Sequence, residues 1–481
     1  MSQLQSPAIS GERKTTNALY IWSGYGIALI LFLLGSQDGY SQESTMVAWV
    51  LFVIGTLPAV RYITNRSTHL PLLELILFAY ANAFSLPLFF QDSQKIMVKT
   101  LYPDSEPVAQ CLLLALMAVV TFWAAFKAAP VIFTSIRFPR VSLNCEPRRM
   151  FFYGVFLSVL SVVISSVHFG SLQGLINLFA SKSFGVAILA LLYYKGLLSD
   201  GQKIIAYVVM AVLVLSGMAS GMAEAIFLPL LIWYLCRWLI TRKFEFTAVI
   251  VGIALFVLIQ PVKLEYRNLV WTNSSQYNST IDRIQVFAEL FSDYWLREGG
   301  HAEVVESTYS RSSLLLQTAH LIDWTPSVVP YRNGETLSFM FVSLIPRVLW
   351  PDKPVAQQAN IYYAVDYGIT TMEGTLTTMF GVGILGEAFM NFGWAGIIPI
   401  YIFLGLLTYL PLHLLSMSST VLQDVRSRGG ELKIAPLALI IAITIQFMFI
   451  GSSIGDSYGG FIQLIVVQLI ILRFAVGGRS G

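Results

Sequence analysis

The sequence predicts an all-α polytopic membrane protein, with about twelve transmembrane helices interrupted by one large external loop. Composition is the first ground. Of 481 residues, 56% are hydrophobic and only 12% charged, with a mean hydropathy of +0.68, whereas a soluble domain is about 45–50% apolar and about 25% charged. Segmentation is the second, because the apolar residues gather into runs close to the ~20 residues that a helix needs to cross a bilayer. The third is where charge falls between those runs. Together they exclude a soluble globular enzyme and a disordered or collagen-like chain. Cys111 and Cys236 lie in apolar runs and Cys145 in a basic segment, which leaves no disulfide framework.

In chain order the spans fall near 18–35, 46–61, 70–90, 107–126, 150–168, 175–194, 203–220, 222–240, 246–262, 383–412, 434–453 and 458–474. The first follows Arg13 and Lys14 and shows no small-residue cleavage site, so it reads as a retained helix and not a secretory peptide. The apolar run 203–240 is too long for one helix and divides at a turn over Gly217–Gly221. About nine spans thus form an N-terminal bundle over 1–262, a loop occupies 263–382, and about three spans fill 383–481. With the N-terminus inside, the inner segments carry 19 Lys and Arg residues, and the short outer loops only Lys95 and Lys99. Basic residues stay on the cytoplasmic side, which places both termini in the cytoplasm and the long loop outside. The basic run Arg137–Arg149 is then a topological anchor and not a nucleic-acid surface.

A connection beyond about 15 residues is usually functional or disordered, and this one is patterned with aromatic and apolar residues throughout, so it is expected to fold. Residues 281–298 place Ile281, Ile284, Ala288, Phe291 and Trp295 on one helical face. The segment lacks the basic face of a lipid-binding interfacial helix, which predicts a lid packed on the protein itself. Residues 337–350 form an apolar run of 14 residues, too short to span but suited to a re-entrant segment. Pro346 and Pro351 end it, leaving Arg347, Asp352 and Lys353 at its tip.

The tenth span opens with GVGILGEAFMNFGWAG over 381–396, where five glycines and two polar residues interrupt the apolar sequence. Glu387 and Asn391, four apart, share a helix face, and an acid at membrane depth is costly enough to suggest a function. Glu74, Lys182 and Glu224 sit singly within spans and read as helix-contact residues. No Walker loop, HExxH, paired CxxC or GxSxG occurs. What remains is a set of basic residues beside membrane-level segments: Lys263 and Arg267 at the end of the ninth span, then Arg311, Arg332, Arg347 and Lys353. Such groups suit a lipid-linked phosphate, because arginine presents a planar fork and lysine a point charge to its oxygens. Cations aimed at a leaving phosphate also stabilise the charge that develops there.

Three strings, QPVKLEYR, VPYRNGETLSFMFVSLIPRVLWPDKP and GILGEAFMNFGWAGI, resemble Wzy-type O-antigen and exopolysaccharide polymerases over about residues 260–400. The resemblance implies a glycosyltransferase C-like helical bundle in the bacterial inner membrane. It implies transfer of a growing glycan from undecaprenyl pyrophosphate to the next carrier-linked oligosaccharide repeat, at the periplasmic face, with no metal or other cofactor. A flippase and a chain-length regulator of the same pathway are the implied partners, beside the lipid bilayer. Lys263, Arg267, Arg347 and Lys353 would contact pyrophosphate or glycan, with Arg311, Arg332 and Asn391 completing the binding set. Glu387 would take the proton of the acceptor hydroxyl, with His320 in TAHLIDW as a second candidate. An O-antigen ligase-type transferase would share the donor and differ in the acceptor. A flippase or secondary transporter would be expected to carry internal repeats and paired midplane charges, and leaves the 120-residue loop poorly explained.

Overall fold

The computed structural model describes residues 20–31, 33, 41–65, 67, 69–89, 105–141, 143, 145–166, 181–272, 277, 279–296, 313–342, 345, 350, 352–355, 357–376, 380–417, 421–427 and 433–476. Among the described residues the fold is helical and without strands. Eight helices among the described residues are long and apolar enough to cross a membrane. They are α2 (Gln42–Thr64), α4 (Ser105–Ser135), α5 (Pro147–Ser166), α7 (Asp200–Ser220), α8 (Ala223–Thr241), α9 (Phe246–Thr272), α14 (Ile384–Leu414), and α17 (Gly460–Ile471) with its flanking π-helical turns. Four of the expected spans hold shorter apolar helices: α1 (Tyr20–Leu31), α3 (Leu72–Tyr80, continuing to Leu88), α6 (Lys182–Tyr194) and α16 (Ile434–Met448).

Shortness has a physical reason in two of these. At about 1.5 Å per residue, a helix of 13 residues, α6, is well under a bilayer's thickness. Its residues 184–192 are all buried, enclosed by α5, α8 and α16. Helix α16 is buried almost as completely. A helix that is apolar on every side belongs inside a bundle. The division of 203–240 falls where the glycines predict it. Helix α7 starts from a Ser199–Gln202 capping box and ends at Ser220 on a left-handed Gly221, and α8 begins two residues later.

The axis of the bundle is the pair α4 and α14, the most extensively packed of all helix pairs. Gly405 permits their close approach, since a Cβ there would stand 2.8 Å from both the Phe122 carbonyl and the Ala125 methyl. Helices α10 (Thr280–Leu296), α11 (Leu315–Trp324), α12 (Glu335–Val342) and α13 (Gln358–Asp366) belong to the loop region, and the last three gather at one end of the bundle, called the loop end below. There the Cys111 thiol of α4 meets the Leu315 carbonyl. At the opposite end α15 (Val421–Arg426) packs beside α8.

Helix α10 does pack on the protein, but alongside the bundle. Phe287 is buried against Val262, Tyr266 and Val270 of α9. Trp295 donates to the Leu258 carbonyl at 3.1 Å, so α10 runs back down the side of α9. Its packed face is rotated from the expected one, and Ile281 and Ala288 are exposed.

The Gly405 contact gives a test. Gly405→Ala must force α4 and α14 apart, and overpacking of this kind costs about 1–3 kcal/mol. Gly252→Ala on α9, where a Cβ meets nothing within 4 Å, removes a helix-disfavouring glycine and should be neutral or stabilising by up to ~1 kcal/mol. Thermal unfolding of both variants in detergent should lower the midpoint only for the first.

Candidate functional site

Helix α14 is two helices joined at a break. Gly393 has φ 58° and ψ −145°, and a Cβ there would strike the Tyr331 hydroxyl at 2.6 Å. The break leaves carbonyls without intrahelical partners, and a turn of the loop region supplies them. Arg332 N–H donates to the Met390 carbonyl at 3.0 Å, and Asn333 N–H to the Asn391 carbonyl at 3.1 Å. The Asn391 side chain, wholly buried, completes the joint. Its Oδ1 accepts from Gly334 N–H at 2.9 Å, and its Nδ2 donates to Thr336 Oγ1 at 2.6 Å and to the Glu387 carbonyl at 2.8 Å.

Glu387 lies one turn earlier and is also wholly buried. Its Oε2 accepts from Ile454 N–H at 2.5 Å, and the Thr336 hydroxyl lies against the same carboxylate. Its Oε1 has no hydrogen-bond partner among the described residues. The start of α14 is fastened to the same segment, with Gly383 N–H on the Gly451 carbonyl at 3.2 Å and Ile384 N–H on that of Ile450 at 2.9 Å. These bonds satisfy N–H groups that a helix start leaves open. Glu387 and Asn391 therefore do share a face, and that face clasps 331–336 on one side and 450–454 on the other.

The remaining expected site residues divide. Arg332 is stacked on the Tyr362 ring at 4.3 Å, with its guanidinium paired to Asp366 and, at 3.4 Å, to Glu335. Lys353 donates to the Ile345 carbonyl at 2.5 Å and the Val342 carbonyl at 3.4 Å, closing the end of α12. His320 is buried on α11, with its ring 4.6 Å from that of Trp324 and Nε2 donating to the Tyr367 carbonyl at 3.1 Å. Burial pulls the imidazole below its ordinary value, against the opposing pull of that carbonyl. Arg311 and Arg347 lie outside the described residues.

Lys263 and Arg267 belong to a second group at the same end. Arg267 Nε donates to the Gly221 carbonyl at 3.2 Å, and its neighbour Tyr266 to that of Ala219 at 2.6 Å, which closes the end of α7. Three residues beyond Gly221, the exposed Glu224 begins α8 within the electrostatic reach of Lys182, Lys263 and Asp456. Lys182 Nζ donates to the Ala225 carbonyl at 2.8 Å. Asp456 sits two residues after Ile454, the Glu387 partner, so the segment 450–459 joins the buried clasp to the accessible charges. Lys182 and Glu224 read singly as helix-contact residues. The signal that would have joined them is topological, because each opens an apolar run at the end where α9 delivers Lys263. Among the described residues no group of three or more His, Cys, Asp or Glu side chains could hold a metal ion.

Two outcomes follow from this geometry. Asn391→Ala strips the joint of three buried hydrogen bonds and should destabilise the protein by about 2–4 kcal/mol, at about 1 kcal/mol each plus the orphaned partners, read by denaturant unfolding in detergent. His320 has a folded-state pKa below its unfolded value, so the unfolded chain binds the extra proton as pH falls. Its contribution to stability is complete above about pH 6.5 and declines below it. The fall in unfolding midpoint between about pH 8 and pH 5 should therefore be smaller in His320→Gln.

No curated protein matches the chain, and no solved structure does. A family model described as a domain of unknown function, DUF8712, matches residues 75–416. That span covers most of the chain and holds both Glu387 and the Lys182, Glu224 and Lys263 group. The protein belongs to the DUF8712 family.

Proposed function

We propose that this protein is a membrane glycosyltransferase that joins undecaprenyl-pyrophosphate-linked oligosaccharide repeats into O-antigen, capsule or exopolysaccharide at the periplasmic face of a bacterial inner membrane. The observation that carries the reading is that Lys182 and Arg267 are bonded to the Ala225 and Gly221 carbonyls on either side of Glu224, with Lys263 and Asp456 within electrostatic reach of that carboxylate. A lipid-linked pyrophosphate requires cations at membrane level, and a glycosyl transfer requires an acid or base beside them. The sequence resemblance to Wzy-type polymerases supports the same reading, as does the gathering of Arg61, Lys127, Arg137, Arg140, Arg237 and Arg242 at the end away from the loop. On this reading the twelve apolar helices all belong to the membrane domain, and the loop end is periplasmic.

The chemistry then distributes as follows. The acceptor's sugar hydroxyl attacks the anomeric carbon of the carrier-linked chain while the bond from that carbon to the pyrophosphate oxygen breaks. Glu224, the exposed carboxylate of the group, takes the hydroxyl proton. Lys263, Arg267 and Lys182 balance the charge on the departing pyrophosphate. Glu387 and Asn391, enclosed by the joint, act as positioning residues that fix 450–459 and hence Asp456. Arg332 and Lys353 hold the loop helices in place, since their charges are already engaged with Asp366, Glu335 and the α12 carbonyls.

Glycan profiling tests the reading. Cells lacking the chain should lose long polymer and accumulate carrier-linked single repeats. Glu224→Gln at normal expression should slow polymerisation by roughly 10²–10⁴-fold, the usual worth of a general base. Polymer of normal length in that variant removes Glu224 from the chemistry. Polymer that forms on its carrier but never reaches lipid A in the deleted strain identifies a ligase, and unchanged polymer in a strain with no second polymerase points to transport instead.

A further inference from the structure

The end of the bundle opposite the loop carries a cavity that the proposed chemistry does not use. Two adjoining lobes, of about 240 and 190 Å³, open among α2, α3, α4 and the end of α14. His69, Leu73, Glu74 and Lys127 line both lobes. The larger has apolar walls that include Leu70, Phe126, Leu412 and Val421, and the smaller brings in Arg61.

Glu74 is the unusual wall residue. It is only 6% exposed, and its Oε1 meets His69 Nε2 at 2.7 Å while its Oε2 has no hydrogen-bond partner among the described residues. A buried carboxylate oxygen without a donor is unfavourable, so the site is chemically incomplete as it stands. Glu74 lines both lobes, and the soft terminal torsion of a glutamate lets its carboxylate turn toward a ligand held there. Lys127 and Arg61, both exposed, flank the same space with positive charge. The ligand that completes the arrangement carries N–H donors on a cation for Glu74, an anion for Lys127 and Arg61, and an apolar body for the Phe126 and Leu412 wall.

We infer that this cavity binds the headgroup of a phospholipid bearing a primary ammonium. The ammonium donates to Glu74, the phosphate lies against Lys127 and Arg61, and the acyl chains leave along the apolar wall. The same reasoning excludes a choline head, because a trimethylammonium group has no N–H to offer the orphaned oxygen. A membrane lipid is favoured over a soluble ammonium phosphate because the walls of the larger lobe are largely apolar.

Native mass spectrometry of the full chain, released from nanodiscs of equal phosphatidylethanolamine, phosphatidylcholine and phosphatidylglycerol, tests the assignment. The wild type should retain the ethanolamine lipid roughly tenfold over the choline lipid, the worth of one hydrogen bond to a charged group. Glu74→Gln should abolish that preference. Lys127→Ala, at an exposed position that folding tolerates, should lower retention of all three lipids while leaving the ethanolamine-to-choline ratio unchanged, and this arm stands even if Glu74→Gln fails to fold. Equal retention of the two lipids by wild type, or a preference that survives in folded Glu74→Gln, overturns the inference. Displacement of the retained lipid by an equal concentration of soluble O-phosphoethanolamine overturns the lipid assignment in favour of a soluble ligand.

Discussion

The loop end of this protein depends on one constraint, which is that a helix broken inside a membrane protein must have its freed backbone groups satisfied by other protein groups. Gly393 breaks α14, and the amides of Arg332 and Asn333 fill the carbonyls of Met390 and Asn391. Once that turn is inserted, the rest follows by contact. Asn391 fixes Gly334 and Thr336, Thr336 lies on Glu387, and Glu387 holds the Ile454 amide. The run 273–383 between α9 and α14, 111 residues, is thereby tied to the bundle at a few points where unpaired polar atoms would be most costly.

This arrangement changes what a buried acid signifies. An ionisable residue at membrane depth is a functional candidate because burial is expensive, but the expense can be met for structural ends. Glu387 accepts a backbone amide, lies against Thr336, and is sealed from solvent. On the proposed reading its role is therefore to position 450–459 and not to meet the acceptor hydroxyl. The charges that a substrate could reach are those at the helix ends, where Glu224 is exposed beside two lysines. Cost of burial identifies the clasp, and accessibility identifies the surface on which chemistry could act.

Much of the helical layout was legible in the sequence because apolar run length and glycine punctuation are local signals. The α7–α8 turn at Gly221 is one example, and the buried pair Glu387 and Asn391 is another, both read from spacing alone. Partners far apart in sequence were not legible. Arg332 looks like a free cation until Asp366, 34 residues on, pairs with it. Lys182, Glu224, Lys263 and Asp456 are isolated in sequence and come within electrostatic reach of one another only through the packing of α6, α8, α9 and the 455–459 turn. The buried face of α10 departs from its periodicity for a related reason. Periodicity gives a face, but which residues of that face bury is decided by the grooves of α9 and α7, and these leave Ile281 outside.

The two ends of the molecule are connected by the same helix pair, and the break determines how. Before Gly393, α14 carries the clasp and is held by 331–336 and 450–454. After it, the rod runs along α4 through Gly405 to Tyr409 and Leu412, which line the cavity with Phe126 and Lys127. The rod is fixed to α4 by close backbone approach, whereas the clasp is fixed to the loop by hydrogen bonds. Gly393 is the point where these two kinds of restraint meet, and Tyr331 seated over it leaves no room for a side chain. The glycine is therefore required three times over: for its backbone angles, for the space the tyrosine occupies, and for the carbonyls that its break opens to the loop.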